Sequence, residues 1–125
     1  MPGSTWRETP PHVNALVLDA GALIALHRNH RNVWAMLRVA ADDALLIQVP
    51  VGAIAQAWRD ARRQVLLTRA LRHCDEVALD GATARAVGLL CARSQTTDIV
   101  DASIAITAAG LSRRGDVTVL TAVGR

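Results

Sequence analysis

Three aspartates are the residues of this chain best suited to chemistry. Asp19 directly follows the apolar run Ala15–Leu18, and Asp98 and Asp101 lie three positions apart in a second apolar segment. Residues three apart share one face of a helix, so Asp98 and Asp101 are expected side by side. Carboxylate oxygens are hard ligands that suit Mg²⁺ or Mn²⁺. The three acids therefore predict a divalent-metal site of the kind that serves phosphodiester hydrolysis.

Helix capping is the structural alternative for the same acids. Asp19 could cap a helix that begins at Ala20, and Asp98 could cap a helix with Asp101 in its first turn. The residues around Asp101 are apolar nearly all round, so we expect a buried helix in which an ionised Asp101 needs a partner. Two independent caps account for these acids less well than one metal site where the two helix ends meet.

An alternation of strands and helices must position these acids. Strands are predicted at Ala15–Leu18, Leu45–Val49, Glu76–Leu79 and Val117–Ala122. Helices are predicted at Gly21–His27, Val33–Ala41, Val51–Trp58, Val65–His73, Ala82–Ala92 and Asp98–Ala109, with a turn between Gly110 and Gly115. This order indicates an α/β fold with a parallel sheet and helices on both faces. Ligands of such sheets gather at the carboxyl ends of the strands, where Asp19 lies.

The length and composition predict one domain over residues 1–125, with residues 1–13 as an extended lead-in. All 14 basic residues are arginines, which excludes a Walker loop and Schiff-base chemistry and counts against an aspartyl-phosphate receiver. The net charge of +3 suits a weak attraction to a polyanion. Cys74 and Cys91 lack metal-binding spacing and indicate free thiols in a reducing cytoplasm. We expect no membrane segment and no secretory signal.

Arginines near the predicted site are candidates for gripping an RNA backbone, with a solvated helix face as the alternative. They are Arg28, Arg31, Arg59, Arg62 and Arg63. Trp34 and Trp58 are expected to pack in the core or at a dimer interface. His27 is expected at the surface, and both cysteines are expected to act as small apolar fillers.

The segments around the three aspartates together resemble PIN-domain ribonucleases. Residues 16–24 resemble the opening motif of that family, 49–59 its second segment, 98–105 its third, and 117–121 its last core strand. The match runs in order over about Ala15 to Ala122. The resemblance is strongest to the VapC-type toxins of bacterial toxin–antitoxin pairs.

This resemblance implies a three-layer α/β/α sandwich and Mg²⁺- or Mn²⁺-dependent endonucleolytic cleavage of RNA. It also implies a homodimer and a cognate antitoxin that blocks the acidic groove. Carried over by position, Asp19 is the metal ligand after the first strand and Asp101 is the ligand on the helix. Asp98 is the neighbouring acid, which holds the metal directly or through water.

Two departures from the family pattern lower the expected metal affinity. Gln56 stands where the family has a glutamate, so it offers a carbonyl or a bound water but no charge. The chain reads Thr121–Arg125 where the family often has Thr-Ser-Asp, and Asp116 begins the last strand, about 15 Å or more from its far end. A degenerate module of the same fold that binds antitoxin or RNA without cleaving is therefore the second hypothesis. A phosphatase or other phosphoryl enzyme is a distant third.

Overall fold

The protein alternates strands and helices in a computed structural model that describes residues 14–59, 64–113 and 115–121. The described strands are β1 (Ala15–Leu18), β2 (Leu46–Pro50), β3 (Asp75–Val77) and β4 (Val117–Leu120). The described helices are α1 (Ala20–His27), α2 (Arg31–Asp42), α3 (Val51–Ala57), α4 (Val65–Leu71), α5 (Gly81–Ser94) and α6 (Ile99–Ser112). The predicted lead-in over 1–13 and the predicted strand end at Ala122 lie outside the described residues.

The four strands form one parallel sheet in the order β3-β2-β1-β4. Ala15 of β1 pairs with Leu46 on one side and with Val117 on the other, so β1 is a central strand. Because every pair is parallel, the carboxyl ends of all four strands lie along one edge of the sheet. Helices flank the sheet, which confirms the predicted α/β class and the three-layer α/β/α sandwich.

The core forms where β1 meets the helices. A strand covered on both faces needs a continuous apolar run rather than an alternating one, and all four residues of β1 are buried. Leu23 and Leu26 of α1 and Leu37 of α2 are among the largest fully buried side chains. The helix α1 stops at His27 because Asn29 adopts a left-handed conformation (φ 59°), which asparagine tolerates better than most residues.

Helix α6 differs from the prediction in length and in burial. It continues through Gly110 to Ser112, so the predicted turn at Gly110 is wrong. A glycine inside a helix costs only about 1 kcal/mol relative to alanine, and the buried Leu111 anchors the final turn. The expectation that the whole helix is buried is also wrong. Ile99 is 54% exposed and Asp101 is exposed, because only one side of the helix faces the sheet.

The remaining boundaries shift by a few residues. Helix α3 begins directly after Pro50 and ends at Ala57, so Trp58 is extended rather than helical. Strand β3 begins at Asp75 and ends at Val77, two residues before the predicted Leu79. None of the described helices is long and apolar enough to cross a membrane.

Candidate functional site

Asp19 joins the central strand to the first helix at the carboxyl edge of the sheet. Its backbone N–H donates to the carbonyl oxygen of Leu120 (3.3 Å), which links the ends of β1 and β4. Its Oδ1 accepts from the backbone N–H of Ala22 (2.8 Å), so the side chain caps α1. A carboxylate offers about four acceptor positions, so this cap leaves Asp19 able to accept a further ligand.

Asp98 and Asp101 occupy the first turn of α6. Oδ1 of Asp98 accepts from the backbone N–H of Asp101 (3.0 Å), which confirms Asp98 as the cap of this helix. The reciprocal bond of a full capping box is replaced, because the backbone N–H of Asp98 donates to the hydroxyl oxygen of Thr96 (3.1 Å). Both carboxylates are exposed, so burial does not force a partner on Asp101.

The charges of Asp98 and of Asp19 both act on Asp101. The pKa of Asp101 is raised, first by repulsion from the charge of Asp98, then by partial desolvation and a hydrogen bond with Asp98, and last by the charge of Asp19.

The contact between Gly52 and Val100 shows why the two segments meet: a Cβ on Gly52 would lie 3.2 Å from Cγ2 of Val100. The start of α6 therefore packs against the start of α3, at the same edge as Asp19.

The donor set fits a hydrated ion better than an enclosed one. Among the described residues, no group of three or more histidines, cysteines, aspartates or glutamates is arranged to hold a metal ion. Asp98 and Asp101 form a close pair. Of the four effects that raise the pKa of Asp101, the charge of Asp19 is the smallest. Mg²⁺ commonly uses one or two protein carboxylates and keeps several waters. The pair on α6, with Asp19 nearby, is compatible with that mode of binding.

Gln56 and two of the candidate arginines line a separate cavity between α1 and α3. The cavity has a volume of about 450 Å³ and is lined by Ile24, His27, Arg28, Gln56, Ala57, Arg59 and Gln64. Gln56, which belongs to the helix that follows β2, therefore shares this cavity with Arg28 and Arg59. Arg31 is exposed on α2. Arg62 and Arg63 lie outside the described residues.

A buried glutamine in this cavity is the feature that sequence reasoning missed. Gln64 is 1% exposed, and its Oε1 accepts from the backbone N–H of Arg59 (2.5 Å). Its Nε2 lies 2.9 Å from Nδ1 of His27. The expectation that His27 is a plain surface residue is therefore wrong, since it is half-buried and paired. No motif marks Gln64, which simply follows a charged run, so no sequence signal could have identified the pair.

Trp34, Trp58 and Cys74 pack against the core. Trp34 and Trp58 pack against the main core cluster, as predicted, and Nε1 of Trp34 donates to the carbonyl oxygen of Leu26 (2.9 Å). Cys74 and Cys91 are free thiols. Burial, with smaller effects from the charges of Asp75 and Glu76, raises the pKa of Cys74 to about 12. A thiol with a raised pKa is a poor nucleophile, and Cys74 packs against the core as a filler.

Comparison with known proteins adds no family assignment. No protein-family model matches this sequence, and no curated protein matches it significantly.

Proposed function

We propose that this protein is a metal-dependent endoribonuclease of the PIN type, a VapC-like toxin that a cognate antitoxin neutralises. One observation carries the proposal. Acids from two distant segments lie at the carboxyl edge of a parallel sheet: Asp19 follows β1, the Asp98–Asp101 pair begins α6, and the charges of both Asp98 and Asp19 raise the pKa of Asp101. A cation at this edge would relieve the repulsion, and this edge is where such sheets bind ligands.

Each acid has a distinct part in the proposed site. Asp19 and Asp101 bind Mg²⁺ or Mn²⁺, and Asp98 assists while its cap holds it in a fixed orientation. The metal, when bound, supplies polarisation of the phosphate and activation of a water. Arg28 and Arg59 bind the RNA backbone in the separate cavity between α1 and α3, because guanidinium groups match phosphate geometry.

The proposed partners go beyond RNA. A homodimer and an antitoxin complex both need an apolar contact surface, and Leu79 and Ile99, which are exposed and line the same apolar pocket, are the proposed one. The proposed setting is the cytoplasm, where RNA and an antitoxin are present together.

Cleavage assays with matched variants test the proposal. Purified protein is incubated with a mixed RNA pool in Mg²⁺, in Mn²⁺ or in EDTA. We expect metal-dependent cleavage that is lost in Asp19→Asn and in Asp101→Asn. The matched control is Asp80→Asn, because Asp80 caps α5 through the same type of bond, from the Thr83 N–H to its Oδ1 (2.8 Å). Undiminished cleavage by both site variants would reject the proposal.

A degenerate binding module of the same fold is the second candidate. It is favoured by the lack of a compact three-ligand group among the described residues and by Gln56 in place of an acid. Such a module would bind RNA or antitoxin, would not cleave, and would bind no Mn²⁺ in a calorimetric titration. Metal-dependent cleavage that Asp19→Asn abolishes would eliminate it.

A further inference from the structure

The cavity between α1 and α3 has the chemistry of an anion site. Its described lining holds two arginines, one histidine and two glutamine amides, and none of these lining residues is a carboxylate. A volume of about 450 Å³ is large enough for a phosphate with part of a sugar. Arg28, Gln56 and Arg59 are exposed, so the cavity opens to solvent and can admit a strand.

The guanidinium of Arg59 is held in place before any ligand arrives. Its Nη1 donates to the carbonyl oxygens of Trp58 (2.7 Å) and Ala55 (3.1 Å), at the end of α3. A guanidinium carries five donors, so these bonds leave capacity for an oxyanion. Because the side chain is already ordered, less conformational entropy is lost when a ligand binds.

The bond network determines the tautomer of His27. A backbone N–H can only donate, so the atom of Gln64 that faces Arg59 must be the amide oxygen. The amide nitrogen of Gln64 therefore faces His27 and donates, and Nδ1 of His27 must accept. A histidine that accepts at Nδ1 is neutral and carries its proton on Nε2. His27 is one of the lining residues, and its Nε2–H is a donor that the bond with Gln64 does not use.

We propose that this cavity binds a phosphodiester of an RNA strand, through the guanidinium groups of Arg28 and Arg59 and the Nε2–H of His27. Gln64 is a positioning residue that fixes the donor of His27. The identity of the strand as RNA rests on the proposed function, whereas the anion site rests on the cavity itself. The site is a second contact, separate from Asp19, Asp98 and Asp101, that holds the strand while another phosphate lies at the acids.

Binding is measured without catalysis, so that the two proposals fail separately. Fluorescence anisotropy follows a labelled oligoribonucleotide in EDTA over a range of salt concentrations. In the double variant Arg28→Gln/Arg59→Gln we expect affinity to fall about tenfold or more. The slope of log K against log[salt] should shrink by about 0.7, the value for one phosphate of a single strand. The matched control is Arg85→Gln/Arg93→Gln, two exposed arginines on α5, which should change neither quantity.

Competition with the labelled strand tests which kind of molecule supplies the bound phosphate. We expect inorganic phosphate and a mononucleotide to displace the labelled strand only weakly, and a strand with methylphosphonate linkages to bind poorly. Inorganic phosphate that binds as tightly as RNA would overturn the assignment to a strand. An acidic peptide that binds where RNA does not would overturn it as well. Absence of RNA binding by the wild type in EDTA would also overturn it, whatever the cleavage assay shows.

Nitrogen-15 NMR of His27 tests the positioning role. We expect the neutral Nε2–H tautomer in the wild type, and a loss of that preference in Gln64→Met together with weaker RNA binding. Gln64 is buried, so circular dichroism first establishes that this variant folds. If it does not fold, the wild-type spectrum alone decides, because a proton on Nδ1 of His27 would overturn the assignment.

Discussion

Asp19 is expected to have two separable roles, and two substitutions separate them. Its Oδ1 accepts the N–H of Ala22 at 2.8 Å, and the capped helix contains the fully buried Leu23 and Leu26. Asn retains an acceptor oxygen in the same place and removes the charge. Ala removes both. Loss of an N-cap of this kind costs about 1 kcal/mol, within a range of roughly 0.5–2.

The expected shift is large enough to measure. For a domain of this size, about 1 kcal/mol lowers the midpoint of thermal unfolding by roughly 3–5 °C. Circular dichroism melts should therefore show Asp19→Ala lowered by that amount and Asp19→Asn close to the wild type. Cleavage of RNA in Mg²⁺ should be lost in both variants, because both lack the charge that the proposed site needs.

Two results would refute this reasoning. If Asp19→Asn melts as low as Asp19→Ala, the charge rather than the hydrogen bond stabilises the helix. If Asp19→Asn cleaves RNA as well as the wild type, Asp19 is a cap and nothing more. Asp80→Ala provides the comparison, since it removes the same kind of cap from α5 and should lower the melting midpoint without affecting cleavage.

Three further predictions concern stability and reactivity. Repulsion from Asp98 raises the pKa of Asp101 in the folded protein, so ionisation of Asp101 opposes folding. The free energy of unfolding should therefore fall as the pH rises from below 3.8 through the raised pKa. In Asp101→Asn this fall with pH should be absent. The urea midpoint of that variant should therefore exceed that of the wild type at pH 7. Leu37→Ala should cost about 2–5 kcal/mol in urea unfolding, because Leu37 is 1% exposed. The exposed Val39→Ala on the same helix should change stability by less than about 0.5 kcal/mol. Cys74, with its pKa near 12, should resist a disulfide reagent at pH 8 until the protein unfolds, measured in Cys91→Ser.

Each of these predictions has an opposing result. An Asp101→Asn variant with the same pH dependence as the wild type would show that Asp98 does not perturb Asp101. Equal losses in Leu37→Ala and Val39→Ala would contradict the assignment of α2's buried face. Rapid labelling of Cys74 in the folded protein would contradict its burial.

Local patterns were sufficient to predict a parallel sheet and the bounds of its first strand, but not the order of the strands. The bounds of β1 were predicted correctly because a central parallel strand must be apolar at every position, and Asp19 interrupts that run. Pro50 likewise marks the start of α3, since it ends a strand and cannot continue the ladder. The caps at Asp19 and Asp98 follow from the preference of aspartate for that position.

Predictions from composition were wrong where tertiary contacts determine burial and helix length. Alanines in α6 made the helix look buried all round, but a small side chain is tolerated at exposed positions as well, so hydropathy overstated burial. Gly110 suggested a turn, yet the buried Leu111 keeps the helix intact. The pairing of Gln64 with His27 joins residues 37 positions apart and follows no spacing rule, so only the folded chain shows it.

The position of β1 in the sheet also determines when the sheet edge around Asp19 can form during synthesis. β1 is made early, but one of its two partners, β4, follows about a hundred residues later. Synthesis proceeds at roughly 5–20 residues per second. About 5–20 s therefore pass between the synthesis of Asp19 and that of Leu120, whose carbonyl oxygen accepts the Asp19 N–H. A nascent or prematurely terminated chain would therefore carry the first acid without the sheet edge that completes its surroundings. The surroundings of Asp19 at this edge are therefore complete only after β4 has been made.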